Sequence, residues 1–444
     1  MKLVTVRFLS RLFLMGLAAA LPLVTPAATD AGEILTLRAC VERAIYHNNT
    51  LRSFASERRA VAMEVKQALA PFYPSLSFGT SFERSDWEDL PRNDNASLDF
   101  KARYNLFRGG GDWSTYKSKK HAYQTSEYDF LEESLSVVAT VQDTFFAILS
   151  LKNRLKILKK SVDAAALHEK LARKRMEAGL SPRSDYLRAQ VDLANARVDL
   201  VQAQRDMKTL KHTLAVLMGW SPSVPIELEK GDVKLKAGEK SLRELYDLAK
   251  KNRPVLRSYQ EQVRELVWAE KSVKAEFFPT LDAYAESGEG GEHYFPDQNY
   301  WAVGIELQYP FFTGFSTRYA AASTRAKLEA KRWSFKQKIL EVQKEIADAY
   351  EQFKSDKRVI KARETLVKSA LENLKVAQKR YRVGVGSIVE LTDARVDATS
   401  AAIGLENAKL TVLGDEIELR RATGWFVPFV KSLEEKTNDA KTKP

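Results

Sequence analysis

The feature that most constrains this chain is an internal repeat that runs through most of its 444 residues. When the sequence is aligned with itself at an offset of 205 positions, Leu37 falls on Leu242 and Trp220 falls on Trp425 without a gap. The same offset superposes shorter segments between those ends, among them Phe72-Tyr73-Pro74 on Phe277-Phe278-Pro279, Lys174-Arg175 on Lys379-Arg380, and Gly179 on Gly384. We therefore predict two copies of one unit, at 37–220 and 242–425.

The ends of the chain complete the expected domain organisation. A basic stretch precedes a short apolar core and small residues, which is the pattern of a cleaved signal peptide at 1–28. Cys40 lies well beyond that cleavage site, so a lipid anchor on a new N-terminal cysteine is not expected. The other units expected are a first repeat at 29–220, an inter-repeat linker or equatorial region at 221–241, a second repeat at 242–425, and a C-terminal tail at 426–444.

Composition excludes several classes of function. A single cysteine and five scattered histidines provide neither a cysteine cluster nor a histidine pair with metal-ligand spacing. The phosphate-binding GxxxxGK[ST] pattern and the hydrolase pattern GxSxG are both missing from the sequence. The formal net charge of +12 arises from helices that also carry Asp and Glu, so solvated helix faces explain it better than nucleic-acid binding. We expect no enzyme, no cofactor, no metal site and no nucleic-acid partner.

The hydrophobic period changes within each copy. Residues 37–70 and 242–275 are predicted as helix, and Pro74 and Pro279 mark the switch to strand because proline disfavours helical geometry at the preceding residue. Two strands of about ten residues with alternating apolar and polar side chains follow in each copy. Polar loops at 84–95 and 288–299 are predicted to join them.

A long helix follows the strands in each copy. Residues 112–178 and 317–383 each contain 67 positions without proline or glycine, which corresponds to a helix about 100 Å long. In the first of these, apolar residues recur every ~3.4 positions from 131 to 162, the spacing of a left-handed coiled coil. Shorter helices are predicted to return to Gly219 and Gly424. After the N-terminus no apolar run approaches the roughly 18 residues of a membrane-spanning helix, which argues against a polytopic helical membrane protein.

The strands require more than one chain. Strands of this length with one apolar face and aromatic residues at Trp87, Tyr300 and Trp301 are typical of an outer-membrane β-barrel. A soluble antiparallel sheet with one buried face is the alternative. Four strands cannot close a barrel, and an open sheet edge in lipid leaves backbone groups without hydrogen bonds. Two copies would give eight strands with a filled interior, whereas three copies would give twelve and leave a passage.

One segment resembles a known family. Residues 380–395 read RYRVGVGSIVELTDAR and resemble the RYxxGxxSxxDxLDAQ stretch of TolC-like outer-membrane efflux proteins, the outer membrane factors. Residues 175–190 carry the same pattern in the first copy. The resemblance implies an α+β membrane protein: a homotrimer whose twelve-stranded outer-membrane β-barrel, with four strands per chain, continues into a long periplasmic α-helical coiled-coil barrel. It also implies outer-membrane lipid, a periplasmic adaptor (membrane fusion protein) and an inner-membrane transporter of RND, ABC or MFS type as partners.

The same resemblance implies roles for particular residues. Glu390 and Asp393 match the acidic ring at the pore constriction, and Asp185 and Tyr381 match a hydrogen bond that closes the gate. Gly386 stands where close relatives often carry a gating arginine, a role for which Arg183 or Arg188 could compensate. The tips expected to contact the adaptor are Gly179, Leu180, Ser181 and Pro182 in the first copy and Gly384, Val385, Gly386 and Ser387 in the second.

The sequence therefore favours an export duct of a tripartite efflux or type I secretion system in the outer membrane of a Gram-negative bacterium, with most of its mass in the periplasm. A non-channel periplasmic coiled-coil scaffold is the alternative, and it explains the long helices but not the alternating strands. The sequence leaves open whether the cargo is a drug, a metal ion, a polysaccharide or an unfolded polypeptide.

Overall fold

The computed structural model describes residues 34–87, 90–229, 240–291 and 298–433, and the expected signal peptide lies outside them. Both copies fold into the same series of elements. Two short helices lead to a pair of strands, which lead to a 67-residue helix and a 35-residue return helix. The first copy contains α1 (Leu37–His47), α2 (Asn49–Gln67), β2 (Ser75–Trp87), β3 (Leu90–Arg108), α3 (Gly111–Glu177) and α4 (Arg183–Leu217). The second contains α5 (Leu242–Asn252), α6 (Pro254–Ala275), β5 (Thr280–Gly291), β6 (Gln298–Gln308), α7 (Ser316–Arg382) and α8 (Ile388–Ala422).

The first helical segment of each copy is broken in two, and the prediction of one continuous helix was wrong. Asn48 ends α1 and caps α2, because its side-chain oxygen accepts hydrogen bonds from the backbone N–H groups of Thr50 and Leu51 at 2.9 and 3.3 Å. In the second copy Arg253 stands at the same break and Pro254 opens α6, a position where proline is tolerated. Pro74 and Pro279 each lie directly before a strand.

The four long strands form one antiparallel sheet in the order β2-β3-β5-β6. Pairing continues beyond the alternating apolar segments: Glu83 pairs with Asn95, and Gly290 pairs with Gln298. The predicted loops at 84–95 and 288–299 were therefore too long. Backbone hydrogen bonds make the ladder whatever the side chains are, so polar residues extend these strands.

The two faces of the sheet differ in chemistry. One face carries exposed apolar side chains, including Leu76, Phe78, Phe100, Val303 and Ile305. The opposite face carries charged pairs, in which Lys101 Nζ lies 3.2 Å from Asp99 Oδ2 and Arg103 Nη2 lies 3.5 Å from Glu306 Oε2. A single chain thus leaves an apolar surface uncovered, which is the surface that lipid would cover in a barrel.

The predicted coiled-coil positions on α3 are confirmed. Leu131, Leu135, Val138, Val141, Phe145, Ile148, Leu151 and Leu158 are buried, and Leu155 and Val162 are partly buried. The prediction that no apolar run after the N-terminus is long enough to span a bilayer was wrong. The helix α3 contains one 18-residue window that is long and apolar enough to do so. Since 61% of that window is buried inside the chain, the helix has the burial of a core helix.

The main core lies between the sheet and the hairpin tips. It joins α1, the middle of α3 and the ends of α4 and α8. The short strand β1 (Ile34–Leu35) pairs in parallel with β4 (Glu227–Leu228), which ties the linker to the start of the chain. Residues 427–433 are helical, and Val427, Val430 and Leu433 belong to the same core, so the beginning of the tail is packed.

Candidate functional site at the hairpin tips

The turns at the ends of the long helices have the same backbone geometry in both copies. Gly179 and Gly384 have φ angles of +72° and +88°, in the left-handed region that residues with a Cβ rarely adopt. The N–H of the next residue then reaches back into the helix. Leu180 donates to the Arg175 carbonyl at 2.8 Å, and Val385 donates to the Arg380 carbonyl at 3.1 Å. The predicted tips are therefore tight turns at the ends of α3 and α7.

The second tip departs from the first at Gly386. A Cβ at this position would lie 2.9 Å from Arg380 Cβ and 2.9 Å from the backbone nitrogen of Tyr381. An arginine, which the resemblance expects here, would therefore collide with the last turn of α7. Ser387 then caps α8 by accepting a hydrogen bond from the Glu390 N–H at 3.1 Å.

Glu390 and Asp393 lie in the first turns of α8, three residues apart, so both carboxylates lie near one face of that helix. Asp393 is exposed. Glu390 is half-buried, and its Oε1 lies 3.0 Å from Nε of Arg380 on α7. The two acids are thus unequal, since Arg380 neutralises much of the charge of Glu390 and leaves that of Asp393.

The predicted hydrogen bond between Asp185 and Tyr381 is not made within one chain. The phenol of Tyr381 is buried, and its Oη has no hydrogen-bond partner among the described residues. Burial raises the pKa of Tyr381, Arg175 opposes that rise and Asp185 adds to it, so Asp185 acts on the phenol through its charge. Arg175, rather than Arg183 or Arg188, occupies the space beside Tyr381: its guanidinium lies 5.1 Å from the ring centroid, and Nη1 donates to the Tyr381 carbonyl at 2.8 Å.

A groove of about 480 Å³ runs between α3 and α7 beside the tips. Its lining carries three cations, Lys170, Lys174 and Arg382, and no carboxylate. In the described part of the chain none of the three forms an ion pair, unlike nearby Lys375, whose Nζ lies 3.1 Å from Glu372. The lining also includes the apolar residues Leu167, Leu171 and Leu391.

Two residues that line the same groove each have a buried polar atom without a partner in the described part of the chain, His168 Nδ1 and Tyr381 Oη. Burial and the nearby charge of Arg395 lower the pKa of His168, so the imidazole is neutral at neutral pH. The groove therefore offers uncommitted positive charge to a partner, whereas these two polar atoms are covered by the chain itself.

Sequence reasoning missed a buried ion pair that joins the two hairpins. Arg395 on α8 donates from Nε to Asp192 Oδ2 on α4 at 3.0 Å and from Nη2 to the other carboxylate oxygen, and Nη1 donates to Ser161 on α3. The apolar pattern of α4 and α8 contained a signal for this ion pair. Asp192 lies among buried Ala189, Leu193 and Ala196, and Arg395 lies among buried Leu391, Ala394 and Ala398, so each ionisable residue interrupts an apolar stripe.

A four-stranded sheet with an exposed apolar face, attached to helical hairpins about 100 Å long, defines an outer-membrane channel subunit. Comparison with known proteins supports this assignment. The family described as "Outer membrane efflux protein" matches residues 40–220 and 245–425 of this chain. The chain belongs to the outer membrane efflux protein family, and its place is the outer membrane of a Gram-negative bacterium.

Individual relatives are distant but cover most of the chain. Protein CyaE of Bordetella pertussis is 25% identical over 415 residues, which is 90% of this chain and 87% of that protein. The probable efflux pump outer membrane protein TtgC of Pseudomonas putida is 22% identical over 413 residues, 88% of this chain and 83% of that protein. The solved structure of VceC from Vibrio cholerae has the same fold, with a TM-score of 0.75 at 17% identity over 87% of this chain and 96% of that one.

Proposed function

We propose that three copies of this chain form a continuous duct across the outer membrane and the adjoining periplasm, through which an inner-membrane transporter exports its substrate. The observation that carries this proposal is the open sheet. Both β2 and β6 are edge strands, and the apolar face beside them is exposed. In lipid an unpaired strand edge costs several kcal/mol per unsatisfied group, so the edges have to pair with other copies. A periplasmic coiled-coil scaffold would not need an open sheet with an exposed apolar face.

The internal repeat predicts how the copies join. Within one chain β3 pairs with β5, with Phe100 opposite Ser287 and Ala102 opposite Ala285. Adding 205 to a residue number of β3 gives the equivalent residue of β6, and subtracting 205 from a residue number of β5 gives the equivalent residue of β2. The repeat therefore predicts that β6 of one chain pairs with β2 of the next in the same way. Ile305 then lies opposite Phe82, and Leu307 lies opposite Thr80. Three such seams close twelve strands, a number that leaves a passage.

Cysteine crosslinking tests this arrangement. A chain with Ile305→Cys and Phe82→Cys should form interchain disulfides in outer membranes, giving covalent trimers on non-reducing gels. The out-of-register pair Leu307→Cys with Phe82→Cys is the matched control, because diagonal neighbours lie about 7–8 Å apart. Mass measurement in mild detergent should independently give three copies. A stable single chain inserted in lipid, or equal crosslinking by both pairs, would refute the assembly.

The tips provide the contact with the rest of the export system. Their turns expose Leu180 and Val385 at the far end of the long helices, and the cation-lined groove lies beside them. An adaptor whose helices carry carboxylates would find charge complementarity there. We propose that a periplasmic adaptor docks on the tips and links the duct to an inner-membrane transporter of RND, ABC or MFS type.

Glu390 and Asp393 are proposed to form the constriction of this duct. Threefold symmetry would bring six carboxylates together, which attracts cations and repels anions. Since Arg380 pairs with Glu390, most of the selectivity is expected to come from Asp393.

A further inference from the structure

The cleft between α1, α2 and α3 of the first copy is filled by the C-terminal segment 426–433. Tyr46 Oη on α1 donates to the Leu433 carbonyl at 3.2 Å. Phe426, Val430 and Leu433 follow the i, i+4, i+7 spacing of one helix face, and all three are buried. This arrangement of helices therefore accepts a short amphipathic helix. We call it the filled cleft, and its buried walls include Val41, Ala44, Leu51, Phe130, Val137 and Val141.

The equivalent cleft of the second copy, between α5, α6 and α7, is open in the described part of the chain. Its volume is about 940 Å³. Leu51 and Phe130 are only 2% and 5% exposed in the filled cleft. Their counterparts 205 positions later, Leu256 and Phe335, are only partly buried. We call this second place the open cleft, and six of its residues are counterparts of the walls named above: Tyr246, Ala249, Leu256, Phe335, Val342 and Ile346.

The rims of the two clefts differ in charge. Ile45 and Tyr46 of the filled cleft are replaced in the open cleft by two lysines, Lys250 and Lys251. Arg257 adds a third cation to the lining. None of these three cations forms an ion pair with a residue that the structure describes. The open cleft therefore combines an apolar floor with a positively charged rim.

Segments of this chain itself do not match that rim. Asp247 is the one carboxylate among the described residues that line the open cleft, so three cations leave the lining with a net charge of +2. The segment 426–433, which fits the filled cleft, exposes Lys431 rather than an acid. The segment 230–239 contains three lysines and two acids in its sequence. Since like charges repel, the occupant that fits the open cleft carries carboxylates.

We infer that the open cleft is a docking site for a short amphipathic helix of another periplasmic protein. Such a helix would place apolar side chains at i, i+4 and i+7 on the floor and carboxylates beside Lys250, Lys251 and Arg257. The site lies apart from the tips, because Ile346 is 36 residues before Arg382 on α7, or about 54 Å along the helix. A single chain forms the whole cleft, so the inference goes beyond the proposed duct and does not depend on it.

Two peptides derived from the C-terminal segment of this chain test the open cleft. The basic probe is residues 423–433 with a fluorescent label. The acidic probe also carries Pro428→Glu, Lys431→Glu and Ser432→Glu, at three positions that are exposed in the filled cleft. Both are titrated into the full-length protein in mild detergent, and fluorescence anisotropy measures binding. We expect the acidic probe to bind about tenfold more tightly in low salt, and this difference should shrink as salt is added.

Substitutions in the open cleft separate the effect of its charge from that of its shape. Lys250→Glu with Lys251→Glu should reverse the preference, so that the basic probe binds more tightly. Arg243→Glu with Lys271→Glu is the matched control, because it changes the same number of charges on α5 and α6 outside the cleft. This control should keep the preference of the unmodified chain. Gln343→Trp places a large side chain in the cleft and should weaken binding of both probes.

Thiol labelling tests whether another part of the protein already covers the open cleft. Gln343→Cys should react with a maleimide in outer membranes and should be protected by the acidic probe. The native Cys40 is buried, which keeps the background low. An unreactive Gln343→Cys would mean that a second copy or the segment 230–239 occupies the cleft, and would overturn the inference.

The binding data can overturn the inference independently. Equal affinity of the unmodified chain for the two probes would do so, as would an unchanged preference in Lys250→Glu with Lys251→Glu. The absence of trimers and of any conductance in the unmodified protein would instead refute the proposed function.

Discussion

Arg395 Nε donates to Asp192 Oδ2 at 3.0 Å across the boundary between the two helical hairpins of one chain. Both side chains are more than nine-tenths buried, and they come from positions 203 residues apart. A buried ion pair of this kind contributes little when intact but is costly to leave half-made. Its effect is therefore to specify how the hairpins pack.

Removing one partner of that pair should lower the free energy of unfolding far more than removing both. Arg395→Met leaves the Asp192 carboxylate buried and unpaired, and should lower the free energy of unfolding by about 3–5 kcal/mol. Adding Asp192→Leu removes the stranded charge and should recover most of the loss. Denaturant unfolding in detergent measures both variants. Equal stability of the single and double variants would show that the pair is not desolvated.

The tip glycines are expected to be needed for export but not for assembly. Gly179→Val and Gly384→Val force a β-branched residue into left-handed geometry, at a cost of roughly 1–2 kcal/mol at each turn. The barrel lies about 100 Å away along the helices, so trimer mass in detergent should not change. Gly414→Val, at a glycine of α8 away from the tips whose added Cβ would meet no atom closer than 3.8 Å, is the control and should export normally. Normal export by both glycine variants would argue against docking at the tips.

Charge reversal in the cation-lined groove tests adaptor docking separately from the turns. Lys170→Glu, Lys174→Glu and Arg382→Glu together should weaken capture of the adaptor by crosslinking and reduce export. Lys159→Glu, Lys160→Glu and Lys361→Glu change the same number of charges on the same two helices outside the groove. Both triple variants should conduct in planar bilayers. Equal loss of adaptor capture in the two would assign the effect to net charge rather than to the groove.

The proposed constriction predicts unequal effects of its two acids. Asp393→Asn should lower cation preference and multivalent-cation block more than Glu390→Gln does, because Arg380 already neutralises Glu390. Arg380→Gln should raise cation preference. Reversal potentials in planar bilayers provide the measurement, and all effects should weaken when salt shortens the Debye length below about 8–10 Å. Asp163→Asn, on the surface of α3, should change neither quantity.

Two aspartates with raised pKa values predict that stability falls as pH rises from about 4 to about 6. Burial raises the pKa of Asp415 from 3.8 to about 6, with the charge of Asp356 adding to the shift. Burial also raises the pKa of Asp143 to about 6, with Glu418 adding to it. The folded chain thus binds more protons than the unfolded chain between these values, so the contribution of these groups falls as pH rises from about 4 to about 6.

Asp415→Asn should reduce the dependence of stability on pH between about 4 and about 6. The measurement is the free energy of unfolding at several pH values across this range. Asp397→Asn, an exposed aspartate on the same helix, should keep the slope of the unmodified chain. A slope that survives in Asp415→Asn and in the corresponding Asp143→Asn would show that other groups titrate there.

Much of the fold followed from periodicity and from breaks in it. The proline- and glycine-free runs predicted α3 and α7 to within one residue at each end, because nothing in a 67-residue run interrupts helical hydrogen bonding. The strands were predicted in place but too short, since alternation reports burial of one face rather than the extent of backbone pairing. The break at Asn48 was missed because a cap depends on side-chain geometry that a composition pattern does not contain.

By itself the sequence determined the duplication, the order of elements, the lengths of the helices and the positions of the tips, all of which depend on residues close together along the chain. Only the tertiary structure decided which side chains meet. It joined Arg395 to Asp192 and replaced the expected bond of Tyr381 with Asp185 by the contact with Arg175. It also left three cations of one groove without an ion pair among the residues that the structure describes. The physical reason is that a helical period indicates which face of a helix is buried, whereas the rotation and height of one packed helix against another set its partners.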